Sequence, residues 1–235
     1  MSLDPVLITG VGQRIGLHLA RTFLERGRPV IGTYRTPRAT LEDLAARGAE
    51  LHRCDFYEPG QVEELIGAVL ATHSRLRAVI HNASDWLPDG AALPAEEVMR
   101  RMMAVHVSVP YRLNLELAPL LRAGSPSDII HFGDYVSGRG SRKHIAYAAS
   151  KAAQDNLTRS FAALLAPEVK VNSIAPALIL FRDDDSDAYR EKTLRKNLLA
   201  REGGLDELQH QVDYLLGSRY VTGRVVHVDG GRHLV

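Results

Sequence analysis

The sequence predicts an α/β fold, a doubly wound seven-stranded parallel sheet with helices on both faces. Two observations carry that prediction. Short apolar runs of strand length alternate with helix-period segments along the whole 235-residue chain, and such alternation implies parallel strands joined by right-handed helical crossovers. The first strand also runs directly into the glycine-rich turn Thr9-Gly10-Val11-Gly12-Gln13-Arg14-Ile15-Gly16, which opens the first helix.

Val6–Ile8 is the first strand. Residues 15–26 form a helix whose apolar side carries Ile15, Leu19 and Phe23, with Gly27 as its stop. Residues 29–34 read as the second strand and 39–47 as a short helix ending at Gly48. Glu50–Arg53 is a short third strand. A helix over 59–73 starts with proline in its first turn. Strand four covers 77–81, and one long helix spans 95–121. Strand five covers 128–132, followed by a helix over Ile145–Leu165 and strand six over 169–174. A charged, less regular stretch runs to about Ala200. Residues 205–216 are helical, and Val225–Val228 is the last strand. The acidic run from Arg182 to Asp187 reads as a mobile loop, either a solvated surface segment or a lid within 182–204. No linker or repeat divides the chain, so one domain over 1–235 is expected.

Composition narrows the function. Lys and Arg number 29 against 28 Asp and Glu, a net charge of +1. That balance argues against nucleic acid as a partner, although a local basic patch stays open. Cys54 is the only cysteine, so no internal disulfide forms and a reducing compartment fits. No apolar run reaches the roughly 20 residues of a membrane helix. Residues 1–5 have neither a basic flank nor a long apolar stretch, so no signal peptide is expected. A cytoplasmic protein follows.

Glycines in a strand-to-helix turn let the backbone approach a pyrophosphate, and the helix N-terminus points its N–H groups at the anion. Gly10, Gly12, Arg14, Ile15 and Gly16 are therefore candidate nucleotide contacts, in a Rossmann-like setting. The end of the second strand selects the cofactor. It carries Tyr34-Arg35-Thr36-Pro37-Arg38, with no acid before Glu42. Guanidinium and hydroxyl groups bind a 2′-phosphate that a carboxylate would repel, so NADPH is expected rather than NADH. Tyr147 and Lys151 stand four apart on one helix face. An ammonium beside a phenol is expected to lower its pKa and make it a proton donor or relay. No His-Glu-x-x-His spacing exists, so no metal is expected. Cys54 reads as packing.

Taken together, these residues resemble the short-chain dehydrogenase/reductase family over nearly the whole chain. His81-Asn82-Ala83 resembles its Asn-Ala-Gly segment, and residues 221–224 with 228–231 resemble its C-terminal signature. The resemblance implies a cofactor site that also includes Asp55, Phe56, Asn82, Ala83, Ser84, Tyr147, Lys151 and Pro176, and by analogy a homotetramer. Two positions depart from the family pattern. Asp134 stands thirteen residues before Tyr147 where serine is usual, and His106 stands where asparagine is usual on the fourth long helix. His106 is either a packed core residue or a substitute for that asparagine as anchor of a relay water. Aspartate at 134 is similar to the pteridine reductase branch, as are Arg14, Ser84 and Trp86. The stretches 127–132, 143–153, 167–176 and 229–234 strengthen that likeness.

The branch implies NADPH-dependent reduction of a 7,8-dihydropterin, with dihydrofolate as a weaker substrate. Trp86 would cover the pterin on the nicotinamide. Tyr147 would donate or relay the proton, and Lys151 would tune it and hold the nicotinamide ribose. Asp134 would orient Tyr147 or a water, with its own pKa raised by burial. Arg14, Ser84, Trp86, Asp134 and Tyr147 form the candidate substrate site. Two other functions stay open: a short-chain reductase of carbonyls such as 3-oxoacyl thioesters, and a non-catalytic NADP-binding regulator.

Overall fold

Seven strands form one sheet among the described residues of the computed structural model: β1 (Val6–Ile8), β2 (Val30–Tyr34), β3 (Glu50–Arg53), β4 (Ala78–His81), β5 (Ser127–Phe132), β6 (Val169–Pro176) and β7 (Val225–Val228). The structure describes residues 3–90 and 92–235; Met1 and Ser2, part of the N-terminal stretch considered above, lie outside the described residues, as does Ala91. The order is β3-β2-β1-β4-β5-β6-β7 and every pairing is parallel. Because β1 has β2 on one side and β4 on the other, the crossovers change direction there. A crevice must open at the carboxyl ends of β1 and β4, where ligands bind in open α/β sheets.

Helices α1 (Arg14–Glu25), α2 (Thr40–Ala46), α3 (Pro59–Thr72), α4 (Ala95–Met103), α5 (Val109–Glu116), α6 (Ala118–Ala123), α7 (Ile145–Leu165), α8 (Asp187–Leu194) and α9 (Leu205–Gly217) connect the strands. Two cores result. Side chains of α3, α4, α5, α6 and α7 pack with Val79, Ile129 and Val171 on one face of the sheet. Those of α1, α2 and α9 pack with Ile8, Ile80 and Ile130 on the other. Strands buried on both faces explain why β1, β4 and β5 read as continuous apolar runs without alternation.

Most polar groups inside this core are paired, although His81 Nδ1 has no hydrogen-bond partner. Asp128 on β5 is fully buried and takes Arg77 at 2.5 Å and the Lys170 ammonium. His81 and His131, neighbours on β4 and β5, stack at 4.9 Å. The Asn114 side chain links them, accepting from His81 at 2.7 Å and donating to His131 at 3.3 Å. His131 donates in turn to Thr158 at 2.8 Å. Burial pulls His81 down to about 4, so the chain is neutral and ties α5 and α7 to the sheet.

Most element ends agree with the sequence reading to within one or two residues, and three differences carry physics. The helix expected over 95–121 is interrupted. A π-helical turn, Ala104–Ser108, separates α4 from α5, and a break at Leu117 separates α5 from α6. Pro110 lacks an N–H and its ring crowds the carbonyl four residues back, that of His106. The wider turn absorbs that conflict. Second, the charged stretch before Ala200 contains α8. Its start is capped by Ser186, which accepts from the Tyr189 N–H, while Arg190 donates to the carbonyls of Arg182 and Asp185. Third, β6 runs to Pro176, paired with Val228 on β7. Among the described residues no helix is long and apolar enough to cross a membrane.

Candidate active site

The crevice at β1 and β4 is lined by Gly10, Gly12, Arg14, Ile15, Tyr34, Arg35, Thr36, Asp55, Phe56, Asn82, Ala83 and Ser84, all of them expected from the sequence. Gly16 lies behind this lining and closes the turn. A Cβ there would sit 2.2 Å from the Gly10 carbonyl oxygen and 2.5 Å from the Asn82 amide nitrogen. Asn82 secures the same turn by donating to the carbonyls of Thr9 and Gly10, both at 3.0 Å. Gln13 provides no side-chain cap to α1, so the first N–H groups of that helix remain available to an anion in the crevice. Arg14 has φ of +51°, a left-handed conformation that glycine adopts more readily. Its guanidinium reaches across to donate to the Leu180 carbonyl at 3.0 Å.

The region expected to hold a 2′-phosphate contains an acid that the local sequence did not announce. Asp85, from the loop after β4, pairs with Arg35 at 3.2 Å and accepts from the Tyr57 hydroxyl at 2.7 Å. Arg35 is half-exposed and also lies over the Tyr57 ring at 5.4 Å. Thr36 and Arg38 line the crevice beside it. The donor set fits a 2′-phosphate once Arg35 leaves Asp85.

Tyr147 and Asp134 meet where β5 hands over to the next turn. The phenol donates to the Asp134 carboxylate at 2.7 Å. The other carboxylate oxygen accepts from the Val136 N–H at 2.9 Å and caps a 3-10 turn, Tyr135–Gly138. Asp134 is therefore a cap and a site acid at once. Burial pushes its pKa up, against the Val136 N–H, the phenol and the charges of Lys151 and Arg232. Burial and the Asp134 charge also push the Tyr147 phenol well above its ordinary value. The expectation that Lys151 lowers the Tyr147 pKa is thus corrected. The Lys151 ammonium lies 5.8 Å from the phenol ring and donates to the Phe132 carbonyl at 2.6 Å. Burial pulls Lys151 itself down to about 8. Tyr147 is therefore held as a neutral phenol, not as a phenolate.

His106, left open by the sequence, sits on the π turn with its ring edge against Tyr147, 5.4 Å between centroids. Burial, then the Lys151 charge, keep it neutral. The Ser150 hydroxyl donates to the Tyr147 carbonyl at 2.7 Å, so it must accept from His106 Nδ1–H at 2.8 Å. His106 Nε2 is left as an acceptor for the Ser84 hydroxyl at 2.8 Å. Ser84 therefore turns its lone pairs toward the crevice it lines.

Trp86 is mostly exposed and stacks on His144 at 3.9 Å. Its loop is fastened to the start of α7. Asp89 accepts from the Ile145 N–H at 2.5 Å, and His144 bonds the Leu87 carbonyl at 3.1 Å. The indole thus belongs to the same helix end as Tyr147, yet it does not line the crevice. Neither do Tyr147, Lys151 and Pro176, which lie deeper toward β5 and β6. Cys54 is buried and its thiol is pushed up to about 12, mostly by burial, which suits packing. His227, Asp229 and His233 come within 4.8 Å of one another, a cluster that no ligand spacing in the sequence suggested. Asp229 there accepts from the Gly231 N–H at 3.0 Å and from His233.

A family model described as Enoyl-(Acyl carrier protein) reductase matches residues 10–233. The chain belongs to the short-chain dehydrogenase/reductase family. Among its relatives, the dihydromonapterin reductase of Klebsiella pneumoniae is 52% identical over 232 residues, 98% of this chain and 97% of that protein. The dihydromonapterin reductase of Shigella flexneri is 51% identical with the same coverage. Among solved structures, the FolM alternative dihydrofolate reductase 1 of Brucella canis, complexed with NADP, superposes with a TM-score of 0.89 at 27% identity, covering 100% of this chain and 95% of that one.

Within a short-chain dehydrogenase/reductase, Asp85, Tyr57 and Ser150 are the site features that sequence reasoning missed; Ser84 and His106 were named, but not the hydrogen bonds that join them to Ser150. For His106 a signal existed: Pro110, four residues on, foretells a disturbed turn. For Asp85 none existed, because its partner Arg35 is fifty residues away.

Proposed function

We propose that this chain reduces a 7,8-dihydropterin, dihydromonapterin first, with NADPH as hydride donor. The observation that carries the reading is the Tyr147–Asp134 hydrogen bond at 2.7 Å: a neutral phenol beside a buried carboxyl is a proton source suited to a ring nitrogen. The names of the relatives support the substrate. NADPH, when bound, supplies the hydride that goes to C6 of the N5=C6 bond. The chain's own residues do the rest. Gly10, Gly12, Ile15 and the N-terminus of α1 hold the pyrophosphate. Arg35 and Thr36 hold the 2′-phosphate. Asp55, Phe56, Asn82 and Ala83 line the remaining length. Lys151 and Pro176 border the nicotinamide end. Arg14, Ser84 and Trp86 hold the pterin ring, and Tyr147, recharged through Asp134, hands a proton to N5. A carbonyl or thioester reductase is the weaker reading, because a carboxyl stands where such chemistry normally has a hydroxyl donor.

The deciding experiment follows NADPH oxidation with dihydromonapterin, dihydrofolate and acetoacetyl thioester side by side. Turnover of the thioester alone would overturn the proposal.

Residues 182–201 form an excursion whose two ends are fastened together: Gly203 and Gly204 donate to the carbonyls of Leu178 and Ile179, and Glu202 accepts from the Phe181 N–H. That closure supports segment 182–204 as a lid over the pterin. Exposed Met99, Tyr111 and Leu164 on α4, α5 and α7 support a homotetramer, to be checked by light scattering. A cytoplasmic location belongs to the same proposal.

Two outcomes are expected. Arg35→Ala raises the KM for NADPH about tenfold, the scale of one charge-assisted hydrogen bond at a half-exposed site, and leaves the KM for NADH unchanged. The pH profile of kcat has a plateau on the acid side and falls as pH rises. Its midpoint lies above the usual carboxylate range, because burial raises the Asp134 pKa and the proton is held below that pKa and lost above it. Asp134→Asn should abolish that limb.

A further inference from the structure

A second cavity, of about 600 Å³, opens beside the reacting pair. Its wall starts at Tyr135 and Val136, the two residues after Asp134. His144 also lines it and stacks on Trp86, so the cavity adjoins the proposed pterin side of the site. Six cations line it: Arg139, Arg142, Lys143, Arg195, Lys196 and Arg232. No Asp or Glu side chain does, and the carboxyl end at Val235, which also lines it, is taken up by Arg139. In a chain of net charge +1 this is a strong local excess, the basic patch that overall composition left open.

Elsewhere arginines meet acids, as Arg21 meets Asp43, Arg26 meets Asp213 and Arg77 meets Asp128. In the cavity, Arg195 reaches Glu191 and Arg139 reaches the carbonyl of Arg232 and an oxygen of Val235. Arg232 lies over the Tyr135 ring at 4.7 Å. Arg142, Lys143 and Lys196 form no ion pair among the described residues. Burial, with the charges of Arg232, Lys192 and Lys143, pulls the Lys196 ammonium below its ordinary value. Like charges held together this way are relieved by an anion among them.

We propose that this cavity binds an anionic group, carboxylate or phosphate, carried on the side chain at C6 of the pterin. The inference rests on the dihydropterin reading and deepens it. C6 is the carbon that receives hydride, so its substituent must emerge at the Tyr147–Asp134 pair. The cavity begins one residue from that pair. Arg195 and Lys196 come from the 182–201 excursion, so a charged tail also draws this segment onto the substrate. Between two side chains of the same kind, the enzyme therefore favours the more negatively charged one.

The test uses the full chain with saturating NADPH at low salt. Two matched pairs are compared: dihydropteroyl-triglutamate against dihydropteroyl-monoglutamate, and phosphorylated dihydromonapterin against neutral dihydromonapterin. The more charged member of at least one pair is expected to have a KM about tenfold lower, with the advantage fading as ionic strength rises. The pair that responds identifies carboxylate or phosphate as the source. An Arg142→Glu, Lys143→Glu double variant, both positions outside the 182–204 segment, should erase the advantage and keep wild-type kcat and KM for neutral dihydromonapterin, which also shows that it is folded. Equal KM values within both pairs, or an advantage that survives in the double variant, overturn the proposal. Absence of any turnover of neutral dihydromonapterin by the wild type is a different result, and it sinks the dihydropterin reading itself.

Discussion

Tyr147→Phe should lower kcat by about 10²–10⁴-fold, the usual worth of a positioned proton donor, while NADPH binds as before. The phenol oxygen is the one atom of Tyr147 that reaches Asp134, and the ring keeps its place against His106 without it. Folding should change little. Two measurements check this: steady-state turnover with a dihydropterin, and NADPH binding followed by cofactor fluorescence. Turnover within a few-fold of wild type would mean that Asp134 delivers the proton without the phenol. The pH limb expected for the wild type would then survive in the variant, a pattern that separates the two donors.

Asp128→Ala should cost about 3–5 kcal/mol of stability, the scale for breaking a buried ion pair from one side. Asp128 is fully buried on the interior strand β5, opposite Ala78 on β4 and Lys170 on β6. Its removal leaves the Arg77 and Lys170 cations, each about one-seventh exposed, with no carboxylate between them. Arg77 also donates to the Leu216 carbonyl at 2.7 Å, so Asp128 helps to position the residue that anchors the end of α9. A fall of roughly 10 °C in Tm follows for a chain of this size, read by thermal or urea unfolding. A shift under 2 °C would mean that both cations reach water without strain.

The sheet was legible because its interior strands carry short unbroken apolar runs. Ile129 and Ile130 point to opposite faces, and both are buried, so a run without alternation marks a central parallel strand. The glycine turn was legible for a similar reason: Gly16 leaves no room for a Cβ, and such a demand writes itself into the sequence. Local patterns failed where the answer depended on distant partners. Lys151 stands four residues from Tyr147, which suggested direct tuning of the phenol, but the carbonyl of Phe132 captures the ammonium. Asp85 is one more polar loop residue until the fold sets it against Arg35. The helix over 95–121 kept an apolar period that concealed its π turn, and Pro110 was the local hint.

The 182–201 excursion is tied at a knot between residues 178–181 and 202–204, and pinned again where the Leu199 N–H donates to the Gly230 carbonyl. The stretch before that pin can therefore be exchanged as a cassette, with longer, shorter or differently charged inserts and the strands left undisturbed. Diversification of such a scaffold costs little in foldability, because the exchangeable stretch lies outside the sheet and apart from the Tyr147–Asp134 pair.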